Sequence, residues 1–213
     1  MKTNVQYGCG LSAPGSWINF DSSPTLRLQK LPIIGKFTAN KIQGFTFPEN
    51  VRYGDIVNGL PMANESCDAI YCSHVLEHLT LEEFRVALQN SYKILKPGGA
   101  FRLVMPDLKR LVEAYSNNLQ TTPKTAATTF IIDSGMSEIG IRKRGILSSI
   151  KRSIGNSLHM SLWDYDSTIN ELEKCGFTEI RKAEFNDSSN PDFIAVESES
   201  RFSGSIALEC TRS

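Results

Sequence analysis

The sequence predicts an α/β protein: a mostly parallel sheet with helices on both faces, an antiparallel last strand and a shortened first crossover. Three observations carry this. Short apolar runs rich in β-branched and aromatic residues, such as residues 69–72 and 101–105, read as buried strands. Between them lie segments of helical periodicity, so strand, helix, strand, helix follow one another as in a parallel sheet covered by its crossovers. The stretch Asp68-Ala-Ile-Tyr-Cys-Ser-His-Val-Leu-Glu-His-Leu79 ends in a polar cluster just before a helix start. In an open parallel sheet, ligands sit outside the carboxyl ends of the strands, where this cluster falls.

In order, Val5-Gln-Tyr-Gly-Cys-Gly10 is a short strand running into a glycine turn. A loop holding Pro14 and Gly15 leads to the second strand, Trp17-Ile-Asn-Phe-Asp21. Ser23 and Pro24 suit the N-cap and first position of a helix that Pro32 stops early. Residues 35–50 show no sustained period, and Val51-Arg-Tyr-Gly-Asp55 is a third short strand. Thr80-x-x-Glu83 forms a capping box after the fourth strand. Leu81, Phe84, Ala87, Leu88, Ile94 and Leu95 then recur at helical spacing until Pro97-Gly98-Gly99. Ala100-Phe-Arg-Leu-Val-Met105 is the fifth strand, and Asp107 caps a helix bearing Leu108, Leu111, Val112 and Tyr115 on one face.

Residues 120–161 are too long for an ordinary loop and read as a functional insertion with its own helices. Within it, Ile146, Leu147, Ile150, Ile154 and Leu158 recur at helical spacing beside Arg142, Lys143, Arg144, Lys151 and Arg152. That basic stretch, 142–158, suits a lid over an acceptor pocket, a surface helix in peripheral contact with lipid headgroups, or a scaffold helix. Residues 164–174 form a further helix ended by Gly176, and 177–185 and 205–211 are the last strands, joined by a polar loop containing Pro191.

A chain of 213 residues suits one domain, 1–213, able to bury a substantial core. Lys plus Arg and Asp plus Glu are 23 each, which argues against a dedicated nucleic-acid binder. No apolar run approaches the roughly 20 residues needed to span a bilayer, and the N-terminal residues lack a signal-peptide core. The five cysteines have no Cys-x-x-Cys spacing. Reduced thiols, a cytoplasmic location and no metal site are the expectations.

Four segments in register resemble the class I S-adenosylmethionine-dependent methyltransferases, in particular their small type-11-like branch. They are Val5-Gln-Tyr-Gly-Cys-Gly10, Trp17-Ile-Asn-Phe-Asp21, Gly54-Asp55 with Leu60-Pro61, and Cys67-Asp68 through Leu79, followed by Leu95-Lys-Pro-Gly-Gly99. The resemblance covers residues 3–118, with a looser match from His159 onward, and implies a Rossmann-like fold and S-adenosyl-L-methionine as cofactor. It assigns the cofactor to Tyr7, Gly8, Cys9, Gly10, Asp21, Asp55, Ile56, Leu60, Ser73 and His74. Glycines let the backbone approach a ligand closely. Asp21 matches the acid that accepts from the ribose hydroxyls, Asp55 the acid near the adenine amino group, and Ser73 and His74 face the methionine part. Glu77 and His78 read as a pair holding the turn after the strand.

The chain departs from the pattern at Gln6, where the family has an acid, and at Ser12, where a third glycine is common. Only 10 residues separate Gly10 from Asp21, so a full crossover helix does not fit. That brevity also disfavours a dinucleotide, whose pyrophosphate needs the helix N-terminus. The departures leave open a catalytically silent, partner-binding module. Methyl transfer depends mainly on positioning, with a base needed only for a protonated nucleophile. Asp107 and His159 are the candidate catalytic residues. The resemblance implies a small-molecule or glycan acceptor, with a sugar hydroxyl in surface-glycan synthesis as one such acceptor.

Overall fold

The computed structural model describes residues 2–31, 46–137 and 158–213. The weakly patterned stretch near Gly35 and all of the basic stretch 142–158 except Leu158 lie outside the described residues. The strands are β1 (Asn4–Tyr7), β2 (Ile18–Asp21), β3 (Val51–Tyr53), β4 (Cys67–Ser73), β5 (Leu95–Pro106), β6 (Phe177–Lys182) and β7 (Ser205–Arg212). The described helices are α1 (Pro24–Gln29), α2 (Leu81–Ile94), α3 (Leu108–Thr121), α4 (Ala126–Asp133), α5 (Tyr165–Cys175) and α6 (Glu199–Phe202), with short 3-10 turns at Leu76–His78 and Pro191–Ala195.

The strands form one sheet in the order β3-β2-β1-β4-β5-β7-β6. Strands β1 to β5 are parallel, and β7 runs antiparallel to both β5 and β6. The chain leaves β1 toward β2 and β3 on one side and reaches β4 and β5 on the other. The β1–β4 boundary is therefore the topological switch point at which open α/β sheets bind ligands. Ten residues join β1 to β2 without a helix, as the spacing requires.

Local signals behave as the sequence predicts. Ser23 caps α1 with Pro24 at its first turn. Thr80 and Glu83 complete the capping box of α2, Asp107 caps α3 through the Lys109 amide, and Gly176 ends α5. Residues 97–99, expected to be a hinge between helix and strand, lie inside β5, because α2 stops at Ile94 and pairing with β4 begins at Leu95.

The two faces of the sheet are built differently. On one face, Val5, Tyr7, Ile70, Cys72, Phe101, Leu103, Ile206 and Leu208 pack under Phe84, Ala87 and Leu88 of α2 and Leu172 of α5. The alternate residues of the same strands include Asn4, Gln6, Asn19, Arg102 and Glu209, all buried. This second face is covered by the connection between β6 and β7, through Phe193, Val196 and Phe202 packed on Tyr71, Val104 and Trp17. The sequence reading treated that connection as a polar loop. Its apolar residues fill the place a crossover helix would take, and Arg102 holds it down through ion pairs to Asp187 and Glu197 while also pairing with Glu209 of β7.

The insertion is rooted where Asp107 bridges to Trp163, whose ring stacks on Phe84 at 4.2 Å. Helices α3 and α4 meet through Tyr115 and Phe130. No helix among the described residues is long and apolar enough to cross a membrane.

Candidate active site

The parallel strands end at one edge of the sheet, which gathers residues from Gly8 to Gly10, Asp21, Asp55, the segment 73–78 and Asp107. Gly8 shows why the first loop is glycine-rich. Its φ is +66°, and a Cβ there would stand 2.0 Å from Val75 Cγ2. The loop therefore rests directly on the exit of β4. Gln6 braces it, donating to the Ser12 carbonyl at 2.7 Å and to Asn19 Oδ1 at 2.6 Å. The two departures from the family pattern are thus partners of one another. Asp21, nearly buried, accepts from the Gly10 amide at 2.9 Å and the Ser23 amide at 2.8 Å. Each of its oxygens keeps a lone pair for a further donor.

A small crevice between these strands is lined by Gln6, Tyr7, Gly8, Ser12, Ser73 and Arg201, among others. The hydroxyls of Tyr71 and Ser73 are buried there without a hydrogen-bond partner. Burial pushes the Tyr71 phenol up to about 12, so it stays a neutral donor. Arg201, from α6, donates to the Ser73 carbonyl at 3.2 Å and pairs with no carboxylate among the described residues. Unsatisfied buried hydroxyls are costly, and beside a guanidinium they suit a polar, anionic ligand group.

Of the other expected cofactor residues, Tyr7 and Cys9 line this crevice, and Asp55, Ile56, Leu60 and His74 lie outside its lining. Asp55 accepts from the Val57 amide and the Asn58 side chain, while Ile56 and Leu60 are buried in the main core. Tyr7 is buried, its hydroxyl 3.2 Å from Ser91. Cys9 is a packing residue whose thiol burial drives up to about 12. His74 adopts φ +54°, an uncommon conformation for a non-glycine residue. Its ring turns back so that Nε2 meets the Arg201 carbonyl at 3.0 Å and Nδ1 lies 3.2 Å from Glu77 Oε1.

All three histidines of the chain converge on Glu77, which is 1% exposed. His159 Nε2 lies 3.9 Å from Glu77 Oε1, and the His78 and His159 rings meet edge to face at 5.1 Å. Backbone contacts fix this arrangement. The Glu77 carbonyl accepts from the Met160 and Ser161 amides at 2.7 and 3.1 Å, and the His159 amide donates to the Gly135 carbonyl. Both carboxylate oxygens of Glu77 are buried without a hydrogen-bond partner, since His74 approaches as an ion pair without hydrogen-bond alignment. For His74, burial works against the charged ring, but Glu77 and the Arg201 carbonyl outweigh it and raise its pKa.

The structure thus brings His159 into a cluster with Glu77 and His78. The Asp107 side chain serves as the cap of α3, accepting from the Lys109 amide at 2.9 Å. Arg201 and the role of Glu77 were missed from sequence. Nothing linear marks Arg201 as near Ser73, whereas three histidines and a glutamate at one strand exit were a visible signal.

The chain matches the methyltransferase-domain family model (type 11) over residues 35–103, about a third of its length, from before β3 through most of β5. It has no match among curated proteins. The fold is similar to that of a methyltransferase from Thermotoga maritima described as S-adenosylmethionine-dependent and a possible histamine N-methyltransferase. That similarity has a TM-score of 0.51 and 15% identity, covering 100% of this chain and 83% of that one. An S-adenosylmethionine-dependent methyltransferase from Archaeoglobus fulgidus gives 0.50 and 15%, covering 99% and 86%. A putative methyltransferase from Haloferax volcanii, solved with the Trm112 activator, gives 0.50 and 15%, covering 99% and 82%. The family match over residues 35–103, with the sheet order and the crevice at its switch point, supports a class I S-adenosylmethionine-dependent methyltransferase of the type-11 kind.

Proposed function

We propose that the chain methylates a hydroxyl of a small-molecule or glycan acceptor, with residues 120–161 closing over the acceptor. The single observation behind a hydroxyl is the Glu77, His78 and His159 cluster at the exit of β4. A neutral amine needs no base, but a hydroxyl must lose its proton as its oxygen takes the methyl. His159 donates Nδ1–H to the Ser134 carbonyl at 2.7 Å, which leaves Nε2 as the basic atom facing the cluster. The N-cap contact of Asp107 makes it the weaker of the two catalytic candidates.

The residues present fit the cofactor. Asp21 would accept from the ribose diol, Asp55 would meet the adenine edge, and Ile56 and Leu60 offer an apolar shelf. Arg201, with the buried Tyr71 and Ser73 hydroxyls, would hold the methionine carboxylate beside Gly8 to Gly10. Bound there, S-adenosylmethionine supplies a methyl already activated on a cationic sulfur, so the protein's task is alignment. Near-attack positioning of this kind is worth roughly 7–11 kcal/mol.

The test is transfer of labelled methyl to fractionated small molecules and glycans, with base lability marking esters and retention on a cation exchanger separating amines from ethers. Labelled ethers, abolished by Asp21→Ala and sharply reduced by His159→Ala, are expected. Label confined to amines would overturn the hydroxyl reading.

A further inference from the structure

We infer that Glu77, His78 and His159 form a binding site for a divalent transition-metal ion. The linear sequence gives no metal-ligand spacing, because His159 arrives from the far side of the insertion. In the fold, one ligand atom from each of the three lies within 4.8 Å of the others. Two imidazoles and a carboxylate with open positions suit zinc, iron, cobalt or manganese in the divalent state. Metal–ligand bonds of roughly 2.0–2.2 Å require the side-chain tips to close by about 1 Å.

Two features distinguish this cluster from an ordinary buried carboxylate. First, Glu77 is 1% exposed, its Oε1 meets His74 Nδ1 at 3.2 Å and its Oε2 has no hydrogen-bond partner, a costly arrangement that a cation relieves. Second, each imidazole is oriented from behind by a backbone carbonyl. His78 Nδ1 lies 3.1 Å from the Leu158 oxygen and His159 Nδ1 2.7 Å from the Ser134 oxygen. Carbonyls only accept, so each Nδ1 carries the proton and, in the neutral ring, the lone pair is on Nε2. Metal-binding histidines are held in their ligating tautomer in this way. The His159 seat is tight: a Cβ on Gly135 would stand 2.5 Å from its Nδ1. His74 Nδ1 lies 3.2 Å from Glu77 Oε1 and would orient the carboxylate as a positioning residue.

The site lies just beyond the end of β4, with Glu77 four residues after Ser73, and Val75 between them packs against Gly8 of the loop that follows β1. Its catalytic role rests on the hydroxyl reading above. There, with the ion bound, His159 Nε2 would serve as a ligand in place of its role as base: the acceptor oxygen would bind the ion, which acidifies its O–H, and the proton would leave to solvent. The new C–O bond would form as the S–CH3 bond breaks, its electron pair remaining on a neutral thioether. Metal occupancy itself does not depend on that reading.

The test is titration of the chelator-stripped full chain with Co²⁺, followed by visible absorption, with Zn²⁺ competition. One equivalent is expected to give d–d bands of a four- or five-coordinate ion, displaced by Zn²⁺. His78→Ala and His159→Ala should each weaken binding by about 100-fold or more, and His74→Gln by about tenfold. Both alanine variants should bind S-adenosylhomocysteine as the parent does, which shows that they are folded. Absence of bands, or alanine variants that bind Co²⁺ unchanged, would overturn the site. Unchanged ether formation in chelated, band-free protein removes the metal and keeps the hydroxyl reading; a bound ion with only amine products does the reverse.

Discussion

Arg102→Met keeps much of the side-chain volume and removes one charge from a fully buried position. The guanidinium is 0% exposed and pairs with Glu197 through Nε, Glu209 through Nη1 at 2.9 Å and Asp187 through Nη2 at 2.9 Å. Arg181 contributes the second cation, to Asp187 and Glu209. Two guanidiniums therefore face three carboxylates, and the substitution leaves one. Glu197, also 0% exposed, loses its ion-pair partner and keeps only the Asn186 amide. Leaving a buried charge uncompensated costs about 3–5 kcal/mol. At about 2–4 °C per kcal/mol for a domain this size, Tm should fall by about 6–20 °C in differential scanning fluorimetry. The pH dependence carries a definite sign. Asp187 is opposed by burial but held down to about 2, chiefly by Arg181, then by the Glu184 backbone and Arg102. Its stabilisation is complete above the unfolded carboxylate pKa and is lost as pH falls from about 4 toward 2. The gap between parent and variant should narrow over that window. Arg102→Met with Glu197→Gln should recover part of the loss. A Tm shift under about 2 °C at pH 7 would refute the reasoning.

Asp21→Ala should weaken S-adenosylhomocysteine by about 10- to 100-fold in calorimetry, the range for hydrogen bonds to a charged group. Gly135→Ala, at φ +67° and against the His159 ring, should displace that imidazole. We expect methyl transfer to fall at least about tenfold, by analogy with disturbed outer-shell contacts, while cofactor affinity holds. Thr80→Ala removes half of the capping box and should cost about 1 kcal/mol in urea unfolding, with no change in cofactor binding.

The parallel part of the fold was legible because its signals are local. The short apolar, β-branched and aromatic runs of β4 and β5, the caps at Ser23, Thr80 and Asp107, and the glycine at 176 each act within a few residues. The short first crossover was legible as arithmetic on chain length. What covers the second face was not legible, because Phe193, Val196 and Arg102 become partners only after β7 inserts between β5 and β6. The 183–204 connection reads as polar because its charges are numerous, yet the Glu197 side chain is buried against Arg102 and Asp187 pairs with the same guanidinium. The candidate site divided along the same line. Asp21 and the glycines stand out by position in a motif, whereas the meeting of His159 with Glu77 and His78 depends on the path of a long insertion.

The missing crossover helix and Arg201 are two ends of one structural problem. A sheet of this order needs cover beside the switch point, and ten residues between β1 and β2 cannot supply it. The β6–β7 connection does so instead, clamped at Arg102 and carried onward by α6 to the Ser73 carbonyl. The face beneath can therefore be polar, since Gln6 and Asn19 find partners in the β1–β2 loop and Glu209 in Arg102 and Arg181 of the flanking strands, rather than an apolar helix stripe. Arg201 then depends on a clamp made by Arg102 across the sheet. Arg201→Ala should weaken S-adenosylhomocysteine by about tenfold or more, as loss of a charged hydrogen-bond partner does, with little change in Tm because its side chain is exposed. Arg102→Met, measured below its own Tm, should weaken the same ligand without touching it. In the double variant the two losses should fail to add, since both act through one guanidinium position. Full additivity would separate the clamp from the crevice and leave Arg102 a purely structural role.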